Sequence, residues 1–507
     1  MAPPDGSASP DDRALDAQIV RGSGWVAMSY GARSVLSVLA MLALVRLVEP
    51  REFGLVALAS IFVTVVEHLQ AAGVQAALIY RRGDIRQAAA SGLVFTAFTG
   101  IASAVALVLA APAFAWAFHT PDLTNVVRVM VLVVAFRGLA AVPGAILERD
   151  LDFRSRAKAE LAAGFVQIGL SIGLAVGGLG VWSLVLGQVG AAGVQAAILW
   201  LVVPWRPNPF EASWATIREL VGYGRFVSLG NILGLVNETV QNVAIGRLLG
   251  PAPLGYYGVT YRLADFPTSV IGYVVSRVML PAYAAVQHDM VRFRRAFVQT
   301  LQRVALLSLP LTVGLAVGAE PIVRGLLGER WLPVVNPLRI LALYSMVRLF
   351  ASCAGAPFQA LGKPHLVPIF ALPQTVVTIP ALIVLTPRYG VTGAAVSMVV
   401  GFSASGIPAL IWAVRLVGLR AAEFVRALAP TLVCSAILAA TLGALLLTRD
   451  YMGAAANLAL FVVAGLAVYS AAIAVLARPA VQPIWTSVRA LRGESAAPSL
   501  AEGLDLV

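Results

Sequence analysis

Apolar runs of about twenty residues, the length that spans a bilayer as a helix, follow one another from Trp25 to Leu476 with short polar breaks between them. Fourteen such runs are predicted, at 24–47, 54–79, 88–113, 125–146, 159–177, 181–203, 223–246, 254–282, 298–323, 334–360, 365–386, 390–415, 424–447 and 455–476. Within this frame the polar residues fall into stripes. The first run aligns Ser29, Tyr30, Arg33 and Ser37, and the second aligns Ser60, Thr64, Glu67, His68 and Gln75. The seventh carries Asn231, Glu238, Gln241 and Asn242, and the eighth carries Arg262, Asp265, Ser269, Tyr273, Ser276 and Arg277 at helical spacing.

The same two pairs of runs are linked by a repeat. "RLVEPREFG" at 46–54 returns as "RLLGPAPLG" at 247–255, an offset of 201 that also matches Val26/Val227, Val35/Val236 and Ala43/Ala244. In each copy an Arg ends one run, where it can snorkel and cap carbonyls. A Pro then opens the next run, and a Gly four residues on permits close packing. "GVWSLVLG" at 180 echoes "GVTGAAVS" at 390 with a slightly drifted offset. The expected fold is an all-α polytopic membrane protein of about fourteen transmembrane helices, with two pseudo-symmetric six-helix lobes in parallel repeat and two C-terminal helices. The divisions are 1–22 (polar N-terminal tail), 23–203 (N-lobe), 204–222 (linker), 223–418 (C-lobe), 419–477 (last two spans) and 478–507 (tail). Parallel repeats place a polar-lined cleft between lobes, an architecture of secondary transporters.

Composition agrees: 59% hydrophobic and 12% charged residues, with a mean hydropathy of +0.85, exclude a soluble protein. The net charge of +12 follows topology rather than a nucleic-acid surface. With the N-terminus in the cytoplasm, basic residues such as Arg81, Arg86, Arg154, Arg156, Lys158, Arg294 and Arg426 outnumber those on the other side roughly threefold, the positive-inside pattern. Both termini are expected in the cytoplasm, the first span acting as an uncleaved anchor. Because the chain uses 35 Arg and 2 Lys, an Arg by itself says little.

Ionisable residues inside a membrane cost about 2.5–3.5 kcal/mol each on the insertion scale and face protein or water. Two readings stay open for several of them. Arg262 and Asp265 either neutralise each other or line a site, and Glu67 with His68 either pairs with Arg33 or handles a proton. Arg137, Glu160, Arg303 and Arg348 suit pairing between helices, and Arg46 and Arg247 suit helix boundaries. Cys353 and Cys434 lie 81 residues apart, which fits no metal or redox motif. No metal, flavin or nucleotide motif is found, so no cofactor is expected. Asp150 and Asp152 form an Asp-x-Asp in a short loop, a weak signal for a glycosyltransferase or polymerase without a nucleotide-binding sheet around it.

On "RLVEPREFGLVALA" from Arg46, "AAGVQAALIYRR" from Ala71, "LERDLDFRSRAKAE" from Leu147, "RVMLPAYAAVQHD" from Arg277 and "LLGERWLPVVNPLRIL" from Leu326, the chain resembles the Wzx-type polysaccharide exporters. These are lipid-linked oligosaccharide flippases of the multidrug/oligosaccharidyl-lipid/polysaccharide superfamily, and the colanic-acid-exporter branch is the most similar. The chain departs from that pattern at Ala72-Gly73, where the family usually has an Asp. The resemblance implies a non-enzymatic protein of the bacterial inner membrane. It would flip undecaprenyl-pyrophosphate-linked repeat units for exopolysaccharide, capsule or O-antigen synthesis by alternating access. Its partners would be the lipid-linked oligosaccharide and a polysaccharide polymerase and chain-length regulator, with no nucleic acid, and the chain could act as a monomer. Phase and resemblance together assign Arg33, Arg262 and Arg277 to the diphosphate. They assign Tyr30, Asn231, Gln241, Asn242 and Tyr273 to sugar, and Glu67, Glu238 and Asp265 to ion coupling. The competing reading in the same superfamily is a drug or cation antiporter, which several intramembrane arginines disfavour.

Overall fold

The computed structural model describes residues 31, 34–71, 74–81, 85–204, 206, 208–447 and 453–476. Every regular element among them is helical. In order these are α1 (Ser34–Leu47), α2 (Pro50–Ala71), α3 (Val74–Tyr80), α4 (Ile85–Ala117), α5 (Leu123–Arg149), α6 (Phe153–Val176), α7 (Val181–Val202) and α8 (Trp214–Leu249). There follow α9 (Pro251–Ala285), α10 (Met290–Val317), the short α11 (Ala319–Ile322), α12 (Val335–Ala360), α13 (Leu366–Leu416), α14 (Ala421–Leu445) and α15 (Ala454–Leu476). Nine helices among the described residues are long and apolar enough to cross a membrane, so the chain is a multi-span helical protein. One of the nine, α13, counts once although its backbone breaks at Gly390 (φ 59, ψ −140). Gly180, which begins α7, has nearly the same conformation (φ 53, ψ −123). A side chain is disfavoured at both, so the weak sequence echo between 180 and 390 marks the same helix-to-helix corner.

The chain divides into two compact units, Met1–Gly255 and Tyr256–Val507. In the first, α2 packs on α5, α7, α4 and α8, and α8 also lies along α3 and α4. Small residues make the approaches close, as membrane helices require without a strong hydrophobic force between them. A Cβ at Gly187 of α7 would overlap Ser171 of α6, and one at Gly190 would overlap Leu170. The repeated motif makes the tightest approach. A Cβ at Gly54 would overlap the carbonyl of Pro251, and one at Gly255 would overlap the carbonyl of Pro50. The two copies therefore clasp each other reciprocally, each glycine admitting the backbone of the other's helix start. Pro suits that start because the first helical N–H has no partner to lose.

In the second unit α10 packs between α12 and α14, around Tyr283, Phe293, Phe297, Leu301 and Phe358. Between α10 and α12 an irregular stretch tucks Trp331 away completely, edge-on to Tyr256 at 5.6 Å between ring centroids. The last two helices dock here: α14 lies on α10, α15 on α14, and the Tyr469 hydroxyl of α15 donates to the Leu306 carbonyl of α10 at 2.8 Å.

Two helix starts are capped by an aspartate. Asp289 accepts from the backbone N–H of Val291 (2.9 Å) and Arg292 (3.1 Å) before α10. Asp152 accepts from Ser155 N–H at 3.1 Å before α6. The second acid of the Asp-x-Asp is thus occupied as a helix cap.

Candidate functional site

The first polar stripe runs down α2, and its acid is met from α5. Arg137 donates to Glu67 at 2.6 Å, with 54% of the arginine side chain and 16% of the glutamate exposed. The second Glu67 oxygen is buried and has no hydrogen-bond partner among the described residues. His68, beside it, bonds through Nδ1 to the Thr64 carbonyl at 2.9 Å. Further along the unit the charges interlock: Gln75 of α3 donates to Glu148 of α5 at 2.8 Å, and Arg156 of α6 pairs with both Glu148 and Glu160. Arg81 pairs with Glu219 of α8 at 3.1 Å.

The second unit holds a counterpart. Asp265 of α9 pairs with Arg348 of α12, whose side chains are 23% and 35% exposed. Arg348 also donates to the Tyr261 hydroxyl at 3.3 Å. Tyr261 stands 6.1 Å from Tyr257 and 6.2 Å from Tyr344 between ring centroids, and Tyr344 meets Phe402 edge-on at 5.4 Å. Arg348 thus lies at the edge of an aromatic cluster.

The two arginines lie in matching stretches of sequence. At an offset of 211, Asn125, Arg128, Leu132, Arg137, Ala140, Gly144 and Ala145 align with Asn336, Arg339, Leu343, Arg348, Ala351, Gly355 and Ala356. The change from 201 has a structural cause: α4 reaches α5 through a short turn, whereas α10 reaches α12 through α11 and the irregular Val323–Val334 stretch. A single fixed offset runs out of register at that insertion. Re-aligning past it is the signal that finds Arg137 and Arg348 as equivalents.

The sequence-assigned residues distribute as follows. Tyr30 and Arg33 lie outside the described residues. Asn231 and Glu238 fall on α8, and Tyr273 and Arg277 on α9, with side chains outside the described set. Gln241 is buried and Asn242 half-buried on α8, each about one turn before Ile245 and Gly246 respectively, and Gly246 packs on Leu58 of α2. Arg262 is exposed and has no carboxylate partner among the described residues, since Asp265 turns to Arg348. Glu67 and Asp265 are each brought to an arginine rather than to one another. Of the boundary arginines, Arg247 meets His119 at 3.1 Å. No group of three or more His, Cys, Asp or Glu that could hold a metal occurs among the described residues.

Residues 43–336, more than half of the chain, match the family described as "Polysaccharide biosynthesis protein". The chain belongs to that family. The match takes in both copies of the clasp, Glu67, Arg137 and Asp265. Among curated relatives, an uncharacterised membrane protein in the cps region of Klebsiella pneumoniae is 23% identical over 76% of this chain and 80% of its own length. The lipopolysaccharide biosynthesis protein WzxC of Escherichia coli is 21% identical over 75% and 77%. The succinoglycan biosynthesis transport protein ExoT of Rhizobium meliloti is 27% identical over 64% and 66%. Among solved structures, the lipid II flippase MurJ in an inward closed conformation shares the fold. Its TM-score is 0.68 at 13% identity, covering 90% of this chain and 99% of that one. An inward-facing multidrug resistance MATE transporter of the MOP superfamily gives 0.60 at 15% identity, over 76% and 94%. This member of the polysaccharide biosynthesis family thus has a fold solved in transporters.

Proposed function

We propose that the protein is a flippase, not an enzyme, that moves undecaprenyl-pyrophosphate-linked oligosaccharide repeat units across the bacterial inner membrane for exopolysaccharide, capsule or O-antigen synthesis. The observation that carries this reading is the family match over residues 43–336, which takes in the polar stripes of the second, seventh and eighth runs. The named functions of the relatives in polysaccharide, lipopolysaccharide and succinoglycan synthesis support it. A diphosphate with its sugars cannot enter hydrocarbon alone, because its charges and hydroxyls find no partners there. Intramembrane arginines supply the matching charge, and guanidinium meets phosphate oxygens two at a time.

In this proposal Arg33, Arg262 and Arg277 contribute positive potential for the diphosphate, and Tyr30, Asn231, Gln241, Asn242 and Tyr273 contribute hydrogen bonds to sugar. Glu67, Glu238 and Asp265 are the candidates for coupling to an ion gradient. The two repeats, 23–203 and 223–418, alternate in exposing the cargo to either side, with 419–477 outside the repeat. Both termini lie in the cytoplasm, and a polymerase and chain-length regulator receive the product. The test is deletion of the gene with the sugar-assembly enzymes intact: lipid-linked intermediates accumulate at the cytoplasmic face and a plasmid copy clears them. A deletion strain with normal polysaccharide and no accumulation removes the reading. The MATE-like fold keeps a cation antiporter as the second reading; the same deletion would then change drug resistance and leave polysaccharide untouched.

A further inference from the structure

Two features of the acid–arginine pairs do not fit simple charge neutralisation. First, the arginine is the more exposed partner in both units, 54% against 16% for Arg137–Glu67 and 35% against 23% for Arg348–Asp265. Arginine in the middle of a membrane-spanning helix does not face lipid, so that exposed guanidinium surface faces a polar space. Second, the arginine keeps its register in both copies while the acid does not. On the 201 offset Thr64 aligns with Asp265 and Glu67 aligns with Thr268, so the acid sits one helical turn away in the second copy. What is held constant is a cation presented to a polar space. The acid lies behind it.

We infer that Arg137 and Arg348 are anion-exchange points: in each unit the guanidinium passes from its own carboxylate to a phosphate oxygen of a diphosphate group. The inference rests on the reading above that the cargo carries a diphosphate, and it gives these two residues a role beyond pairing between helices. The carboxylates explain how a transporter holds an anion without trapping it. An arginine with no internal competitor would bind a dianion tightly and release it slowly, whereas conduction across a membrane needs binding weak enough to leave. Glu67 and Asp265 keep the guanidinium neutralised while the site is empty, and they repel the anion that displaces them. No bond is made or broken; one salt bridge replaces another. The ligand chemistry is a diphosphate, whether lipid-linked or free.

The purified full-length protein in lipid nanodiscs is titrated calorimetrically with inorganic pyrophosphate and with a short-chain prenyl-diphosphate sugar. Competition makes the sign of each substitution diagnostic. Glu67→Gln and Asp265→Asn remove the competitor and tighten binding of both ligands about fivefold or more, while Arg137→Gln and Arg348→Gln weaken it by at least about as much. The neutral pair Glu67→Gln/Arg137→Gln leaves no unpaired charge to disturb folding, and it binds as weakly as Arg137→Gln alone. Acid and arginine variants that both weaken binding, or both leave it unchanged, in protein with unaltered melting overturn the inference. So does the sign pattern with the lipid-linked ligand but not with pyrophosphate, because the exchange would then not be at the diphosphate. Equal competition by phosphatidylglycerol overturns the diphosphate class. Accumulation of lipid-linked intermediates in the deletion strain together with flat binding titrations defeats the exchange alone. The predicted signs in a protein whose deletion spares export defeat the flippase reading alone.

Discussion

The hairpins that open the two repeats, around α2 and around α9, begin alike and then diverge. Both start on a Pro with Gly four residues later, and these positions interlock backbone to backbone. In the first turn α2 adds charge that α9 lacks. Arg51 pairs with Asp122 at 2.8 Å, and Glu52 accepts from the first N–H of α7, at Val181, at 3.1 Å. The aligned positions in α9 are Ala252 and Pro253. Farther down, both helices offer an acid to an arginine of equivalent register, but Thr and acid stand in opposite order, Thr64 and Glu67 against Asp265 and Thr268. Backbone fit and the cation are what the copies share. The anchoring charges and the placement of the acid are where they differ: the start of α2 is tied by two charged contacts, whereas the start of α9 has the neutral contact of the Tyr256 hydroxyl with the Arg330 carbonyl at 3.3 Å.

The largest effect is expected at the shared feature. Gly54→Leu and Gly255→Leu both force side-chain atoms into the opposite helix start, and overpacking of this kind costs about 1–3 kcal/mol or more. Each should abolish polysaccharide export equally in a complementation assay. A normal Gly255→Leu beside a dead Gly54→Leu would break the reciprocity. Next come the acids' positions. Transposing the first copy to the order of the second, Thr64→Glu with Glu67→Thr, should keep export within about threefold of wild type, because residues three apart share a helix face. Glu67→Thr alone should lose about tenfold in export by leaving Arg137 without its partner, a cost of about 1–3 kcal/mol.

A smaller difference separates the first turns. Glu52→Gln should lower thermal stability by about 0.5–2 kcal/mol through loss of a charged cap on α7. Ala252→Arg or Pro253→Ala should shift melting little. Least of all is the cap at Asp289, an exposed carboxyl held below its ordinary range chiefly by the Arg292 backbone N–H, with the Val291 N–H adding to it. A depressed carboxyl stabilises the fold above its unfolded pKa and loses that contribution as pH falls through the acid range. Asp289→Asn should therefore narrow the drop in melting temperature between neutral and acidic pH, measured by differential scanning fluorimetry, and barely change it at neutral pH.

Much of this was legible in the sequence, and the reason is physical. Bilayer thickness forces long apolar runs, so the multi-span helical fold reads directly from hydropathy. Pro and Gly at fixed spacing exposed the clasp as a repeat because backbone fit tolerates so few residues. Helical phase likewise placed Glu67 and Asp265 on polar faces. Phase cannot name a partner across space: Glu67 meets Arg137 seventy residues on, and Asp265 meets Arg348 rather than Arg262, its neighbour on the same turn. The insertion at Ala319–Val334 also hid the equivalence of the two arginines behind a change of offset. The Asp-x-Asp, a weak signal in the sequence, contains a helix cap at Asp152, a use that sequence alone does not distinguish.

The proposed mechanism requires two equivalent arginines, Arg137 and Arg348, to act on a diphosphate-linked sugar. Proteoliposomes carrying a fluorescent short-chain prenyl-diphosphate disaccharide, quenched from outside with membrane-impermeant dithionite, report its movement between leaflets. Wild-type protein should flip the lipid well above protein-free vesicles, while Arg137→Gln/Arg348→Gln, reconstituted to the same density, should fall to the protein-free rate. Undiminished flipping by the double variant, or no flipping by the wild type, would contradict it.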